Sequence, residues 1–195
     1  MKNPLLLILV ISQFIYSQST LETDSIIQLD EVNATYQATK LMPITYQNLP
    51  TRNIKLKSIG QEPALLLNQT PSITAYTDGG HNQGYSYFRL RGIDQTRINI
   101  TFDGVPLNDP LDHAFYFSNY ADILNSISKI QIQRGVGTTK NGTASYAGNI
   151  ELFSPILHKS KKLELGVGSG SYNSIRLYGL YNSGIKNRKA LYTRI

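Results

Sequence analysis

Short runs in which apolar and polar residues alternate recur along this chain, and glycine-containing turns follow several of them. The clearest runs cover residues 88–91, 98–102, 130–133 and 150–152. A period of two residues is typical of a strand that buries one face and exposes the other. The pattern therefore predicts several half-buried strands and argues against a helical bundle.

Two helical patterns interrupt these runs. The spacing from Ser58 to Gln61 is that of a capping box and predicts a short helix over about 58–68. Apolar residues that share one helical face predict a second helix within 119–127. The stretch 43–50 is bounded by prolines and is predicted to be a loop. The fold class is therefore α+β, with a small mixed sheet and a few short helices.

Composition excludes some functions and argues against others. The chain has no cysteine, which excludes disulfides, thiolate metal sites and cysteine nucleophiles. Its formal charge of +6 is unevenly distributed along the chain. Residues 159–195 carry a net charge of +7, whereas residues 73–158 carry −1. The central region thus lacks a basic stripe that could follow a phosphate backbone, which argues against nucleic-acid binding.

The N-terminus has the pattern of an export signal. Lys2 precedes an apolar run over residues 5–15, and the small residue Ser17 stands before a polar stretch. This run is too short to cross a bilayer, and it predicts a signal peptide over residues 1–17. No lipobox cysteine follows it, so a lipid anchor is not expected.

An acidic leader over residues 18–36 follows the signal. It contains four acidic residues and no basic ones, and it ends in an extended-looking run from Leu29 to Tyr36. One interpretation is an ordinary disordered leader, which the residues alone favour. The other is a peptide that adds a strand to the exposed sheet edge of a partner.

A charged residue pairs with glycine at three predicted strand exits. Arg89 and Arg91 precede Gly92, Asp103 precedes Gly104, and Arg134 precedes Gly135. Arginine binds carboxylates through its planar fork, and glycine permits positive φ angles. A single pair would be a solvated strand end, but three within 46 residues predict a buried or interfacial ionic cluster.

Four ordered segments carry a resemblance to a known family. They are Arg89–Gly92, Asn99–Leu107, Ile130–Thr138 and Asn141–Ile150. In order and spacing they resemble the signatures of the plug domain of TonB-dependent outer-membrane transporters. The resemblance covers roughly residues 29–158, whereas any one of the segments alone would be weak evidence.

The resemblance implies a plug domain over residues 37–158 that gates a barrel lumen during active nutrient uptake. It implies no covalent chemistry, no cofactor and no bound metal. A TonB-type periplasmic energy-coupling protein would pull on a TonB box in the leader, for which the candidate residues are Leu29, Asp30, Glu31, Val32, Asn33 and Ala34. The candidate structural or gating residues of the plug are Arg89, Arg91, Gly92, Asp103, Gly104, Arg134, Gly135, Gly142 and Gly148.

Residues 159–195 fit the opening strands of a transmembrane barrel. Alternation over 163–169 and 172–181, and a third run near residue 190, give strands with one apolar face. In isolation they could also be strands of a soluble sheet. Plugged outer-membrane transporters have about 22 strands, and this segment holds about three. The expectation is therefore an outer-membrane protein represented by a fragment or a truncated gene product.

The substrate is not readable from the sequence, and iron–siderophores, haem, cobalamin and glycans all stay open. Aromatic loop residues are the candidate substrate contacts, namely Tyr85, Tyr87, Phe115 and Tyr116. An alternative function is a soluble periplasmic binding or signalling module without a barrel. An enzyme is not expected, because the dinucleotide and P-loop patterns are incomplete and Asp109, Asp112 and His113 fit a polar loop better than a metal site.

Overall fold

The computed structural model describes residue 38 and residues 42–120, 122–136 and 146–195. The predicted export signal (1–17), the candidate TonB box (29–34) and Gly142 lie outside these residues. Within the described part of the chain, no helix is long and apolar enough to cross a membrane.

The described elements are short, and strands outnumber helices. Single 3₁₀ turns lie at Gln95–Arg97, Phe117–Asn119 and Ile123–Asn125. In chain order the strands and helices are β1 (Thr45–Pro50), α1 (Thr51–Lys57), α2 (Pro63–Leu67), β2 (Ile73–Thr77), β3 (Ser86–Leu90), β4 (Ile93–Asp94), β5 (Ile98–Phe102), β6 (Val105–Pro106), β7 (Lys129–Arg134), β8 (Gly148–Phe153), β9 (Lys162–Ser169), β10 (Ile175–Asn182) and β11 (Tyr192–Arg194).

A five-stranded mixed sheet, here called the central sheet, has the order β1-β7-β8-β5-β6. β5 and β8 are parallel, and the other neighbours are antiparallel. The register places Ile100 beside Ile150, and Ile150 beside Ile132. These side chains belong to the buried core, which Phe88 and Phe117 also enter from outside the sheet. The fold class predicted from the sequence is confirmed.

The opposite face of the central sheet is polar and also buried, so the prediction of half-buried strands is wrong for β5, β7 and β8. Amide side chains make this possible because they donate to and accept from one another. Gln131 donates from Nε2 to Asn48 Oδ1 over 2.8 Å and accepts from the backbone N–H of Ala38, also over 2.8 Å. Asn99 Nδ2 donates to Asn149 Oδ1 over 3.0 Å. Alternation alone does not distinguish a polar face that contacts water from a polar face that is buried and hydrogen-bonded.

The predicted helix over 58–68 is wrong at its N-terminus. α2 begins only at Pro63, which suits the first helical position because it needs no N–H donor there. Gln61 is not part of a capping box; its Nε2 donates to the Lys57 carbonyl over 2.7 Å, and so closes the end of α1. The sequence analysis did not predict α1 itself.

Two further expectations are corrected. The stretch 43–50 contains β1 and is not only a loop; Pro50 is tolerated because it ends a strand at the sheet edge. The predicted helix within 119–127 is instead the two 3₁₀ turns that flank Asp122. Asp122 has a φ of 58°, a left-handed conformation that cannot continue an α-helix.

Two three-stranded antiparallel sheets complete the structure. β2, β3 and β4 form one, and β9, β10 and β11, here called the outer sheet, form the other. The outer sheet confirms the three strands predicted over residues 159–195. The central and outer sheets belong to one compact unit.

Candidate functional site

The outer sheet has two chemically different faces. On one face Leu165, Val167 and Leu177 are 73%, 78% and 73% exposed. On the other face of β10, Arg176 is half-buried and Leu180 is buried. Alternation along the strands creates this division, so the charged side chains meet the remainder of the unit and the apolar ones point away from it.

Asp122 is the centre of the contact between the outer sheet and the turn over residues 122–126. We call this contact, together with the adjoining part of α1, the seam. Its carboxylate accepts hydrogen bonds from Arg176 Nη2 at 2.8 Å and from Arg194 Nη2. Asn125 Nδ2 donates to the same carboxylate. Arg194 also donates from Nη1 to Ser126 Oγ over 3.1 Å. One carboxylate therefore ties the turn to both β10 and β11.

The electrostatics of the seam keep Asp122 ionised. Burial by itself would raise the pKa of this carboxyl, but hydrogen bonds from Arg194, Arg176 and Asn125 outweigh burial and lower the pKa below its ordinary value. The left-handed backbone at Asp122 aims the side chain at both arginines. Aspartate and asparagine tolerate this conformation better than most residues do.

A second ion-pair group lies elsewhere along the seam. Glu164 on β9 accepts from Lys55 Nζ on α1 at 3.2 Å and from Lys162 Nζ at 3.1 Å. All three side chains are partly exposed, so this group is weaker than the Asp122 contact.

Two of the three charge–glycine pairs form tight turns. Arg91 and Gly92 link β3 to β4 with φ angles of 55° and 79°, and Asp103 and Gly104 link β5 to β6 with φ angles of 47° and 82°. Two positive φ angles in a two-residue loop are the mark of a type I′ hairpin turn. Among the described residues, none of the ion pairs joins Arg89, Arg91, Asp103 or Arg134.

The charged side chains of the charge–glycine pairs either hydrogen-bond to uncharged groups or are exposed. The side chain of Arg134 donates from Nη2 to Gln47 Oε1 over 2.6 Å, whereas its buried Nε has no hydrogen-bond partner among the described residues. Asp103 Oδ1 accepts from the backbone N–H of Ser154 over 3.0 Å. Arg89 and Arg91 are exposed.

Glu151 is a buried carboxyl on the polar face of the central sheet. Burial raises its pKa to about 7, and the charge of Asp103 acts in the same direction, whereas Lys129 lowers the pKa. Its cross-strand neighbours are Gln131 and Thr101. An ionisable group therefore lies directly between two neutral cross-strand neighbours on this face.

Three of the four aromatic candidates lie at or near the surface. Tyr85 is exposed, and Tyr87 stacks on Tyr76 with ring centroids 5.3 Å apart and meets Tyr116 edge-on at 6.4 Å. Phe115 is only 2% exposed and packs against Phe117 in the core, so it is not an exposed platform. Burial of its apolar ring in the core is more favourable than exposure in a loop.

Residues 39–149 match the family described as "TonB-dependent Receptor Plug Domain", which is more than half of the 195-residue chain. The chain belongs to the TonB-dependent receptor plug domain family.

Solved receptors share this plug fold. The ferric yersiniabactin uptake receptor FyuA from Yersinia pestis matches with 16% identity and a TM-score of 0.56, over 74% of this chain and 22% of its own. The siderophore receptor PiuA from Acinetobacter baumannii matches with 18% identity and a TM-score of 0.57, over 78% and 20%. The ferric-catecholate import receptor Fiu from E. coli K12 matches with 16% identity and a TM-score of 0.58, over 75% and 20%.

At these identities the likeness is one of fold. The chain spans about a fifth of the length of the solved receptors. No match was found among the curated proteins.

The seam joins the region that matches the plug family to the outer sheet. The match runs from before β1 to Asn149 near the start of β8, so the outer sheet lies beyond it. The sequence analysis predicted the plug signatures but missed Asp122, whose arginine partners are 54 and 72 residues away. A signal for this contact did exist, since alternation places Arg176 on the polar face of β10.

Proposed function

We propose that the chain is the plug-bearing part of an outer-membrane receptor for active uptake of a scarce nutrient. The plug would block the lumen of a barrel that begins with β9, β10 and β11. The observation that carries this proposal is the two-faced outer sheet, whose charged face meets the plug while Leu165, Val167 and Leu177 point away. A barrel wall around a plug requires this division between lipid and protein contacts.

Strand length also supports the membrane proposal. β9 and β10 have 8 residues each, close to the about 9–11 residues that a tilted transmembrane strand needs. A soluble module would instead require the apolar residues of β9 and β10 to pack on the central sheet. The exposure of Leu165, Val167 and Leu177 supports the proposal of a lipid-facing wall.

The leader would couple transport to the periplasmic energy-coupling protein. In this proposal residues 29–34 form the TonB box, which adds a strand to a periplasmic energy-coupling protein of the TonB type. Backbone hydrogen bonds would supply the affinity, and force on this strand would rearrange the plug. Transport of this kind needs no covalent chemistry from the chain.

We also propose that Arg91 and Arg134 help to hold the plug inside the barrel. The buried Nε of Arg134 has no hydrogen-bond partner among the described residues, and a buried donor of this kind calls for one. A Cβ on Gly135 would lie 3.4 Å from Arg91 Nη1, so the Arg91 guanidinium lies beside the Arg134–Gly135 segment. A carboxylate of the barrel wall would suit both side chains.

Replacement of Arg134 by alanine is predicted to loosen the plug. Amide hydrogen exchange in β7 should rise about tenfold or more, because a hydrogen bond to a charged group is worth about 1.5–3 kcal/mol. Arg97 is exposed and is not one of the candidate plug residues, so Arg97→Ala provides the control. Equal exchange in the two variants would contradict the role of Arg134.

The proposed substrate class is an iron–siderophore complex. The three solved receptors above are named for ferric or siderophore ligands. Tyr85, Tyr87 and Tyr116 supply aromatic surfaces that suit planar chelating groups.

Gene disruption in the parent bacterium would test the proposed function. Under iron limitation, the disrupted strain should lose accumulation of at least one radiolabelled iron–siderophore complex, and the intact gene should restore it. A protonophore should abolish the restored uptake. Unchanged accumulation of the complexes that the parent strain takes up, or uptake insensitive to the protonophore, would contradict the proposal.

A further inference from the structure

The seam contains two neighbouring cavities that share Lys55, Asn125 and Leu180 in their lining. The smaller cavity has a volume of about 70 Å³ and is lined in part by Arg176 and Arg194. The larger has a volume of about 270 Å³ and is lined in part by Arg52 and Lys162. The larger cavity thus adjoins the smaller one, and only the smaller one is lined by the two arginines that bind Asp122.

Positive charge is in excess along these cavities. The carboxylates are Asp122, which the arginines bind, and Glu164, which Lys55 and Lys162 bind. The cationic side chains that line the cavities are Arg52, Lys55, Lys162, Arg176 and Arg194. The seam thus has three more cationic groups than carboxylates among the described residues. Arg52 and Lys162 of this excess are exposed and would attract an anion toward the larger cavity.

The two arginines already form a carboxylate site. The side chain of Arg194 is only 11% exposed, and both guanidinium groups donate to the Asp122 carboxylate. The Tyr178 ring lies under both groups, at 5.1 Å from Arg176 Cζ and 5.9 Å from Arg194 Cζ. Planar guanidinium forks match carboxylates in geometry, and the aromatic contact orients them.

We propose that a free carboxylate-bearing solute enters the seam and competes with Asp122 for Arg176 and Arg194. Asp122 is a tethered ligand of this site, so the solute would replace one set of charge-assisted hydrogen bonds with another. The turn over residues 122–126 would then lose its attachment to β10 and β11. This inference rests only on the seam contacts and does not depend on the nutrient-uptake function.

Succinate is a suitable probe for the full chain in detergent micelles. Calorimetric titration should show weak binding to the wild type and about tenfold tighter binding to Asp122→Asn, because the tethered competitor is gone. Asparagine keeps the left-handed backbone at this position. Asp122→Gly, which also accepts a φ of 58°, is a second variant should Asp122→Asn fail to fold.

Arginine variants provide the opposite test. Addition of Arg176→Gln and Arg194→Gln to Asp122→Asn should remove the tighter binding, whereas the exposed matched control Arg97→Gln should not. In the wild type, succinate should also raise amide hydrogen exchange in β10, beyond the effect of sodium chloride at equal ionic strength. Equal succinate affinity in wild type, Asp122→Asn and Asp122→Gly, or retained tight binding without both arginines, would overturn the proposal.

Discussion

At the scale of single residues, Asp122 shows how one carboxylate joins distant parts of the chain. Its partners Arg176 and Arg194 lie on different strands of the outer sheet, and Asn125 lies within its own turn. The contact depends on ionisation, because a neutral carboxyl accepts weaker hydrogen bonds from guanidinium groups.

Asp122→Asn is predicted to lower stability at neutral pH by about 2 kcal/mol. The pKa of Asp122 is lowered in the folded protein, so its contribution is present above its ordinary value of 3.8 and is lost as the pH falls through the folded-state pKa. Urea unfolding at pH 7 and pH 3 measures this difference. The control is Asp109→Asn, in which asparagine can still accept from the Leu111 N–H. A loss of stability that is equal at both pH values would contradict the ionic role.

Glu151→Gln is predicted to act in the opposite direction. The unfolded chain ionises near pH 4.5, whereas the folded protein keeps the Glu151 proton up to about pH 7. Wild-type stability therefore falls as the pH rises between these values, and the variant should be more stable than wild type at pH 8 by about 1–3 kcal/mol. At pH 4 the gain should vanish. A gain that is the same at pH 4 and pH 8 would contradict a buried, proton-bearing carboxyl.

The sequence could predict some residue-level features and not others. The Asp103-Gly104 pair predicted a turn, because glycine and aspartate tolerate positive φ angles. The partners of Asp122 could not be predicted, since they depend on how the outer sheet packs on the plug. The burial of Phe115 likewise depends on the whole core.

At the scale of elements, the parallel pair of β5 and β8 organises the plug. Gly148 begins β8 where neighbouring atoms leave no room: a Cβ there would lie 2.3 Å from Leu90 Cδ2 and 2.4 Å from the Gln133 carbonyl oxygen. The latter atom is backbone of β7, so it cannot move without disturbing the sheet.

Gly148→Ala is therefore predicted to destabilise the chain by about 2–3 kcal/mol. Gly168→Ala is the matched control, because a Cβ at this strand glycine would meet its nearest neighbour at 3.8 Å, an ordinary contact. Its effect should stay within about 0.5 kcal/mol. Urea unfolding of both variants tests the comparison, and equal losses would rule out crowding at Gly148 as the cause.

Strands were more predictable than helices in this chain. Alternation located β5, β7 and β9 because the period of two is local. It did not distinguish the buried amides of the central sheet from a solvated face, since both read as polar residues. The short helices were misplaced because Gln61 closes α1 through its side chain, a tertiary detail that the capping-box spacing also fits.

At the scale of the whole molecule, the two faces of the outer sheet meet different surroundings. Leu177 and Leu180 lie on the same strand and on opposite faces, one 73% exposed and the other buried. If the outer sheet is a barrel wall, only the Leu177 face contacts lipid.

The most direct measurement uses nitroxide labels on single cysteines, which the cysteine-free chain makes specific. Leu177→Cys and Leu180→Cys would be labelled in the full chain in bilayer vesicles, with the exposed turn residue Lys189→Cys as a water-facing reference. The account predicts that the label at 177 collides with oxygen dissolved in the lipid and is protected from a water-soluble nickel chelate, whereas the label at 180 is protected from both. A label at 177 that reacts with the nickel chelate as readily as the label at 189 would contradict the claim that this face is a membrane surface.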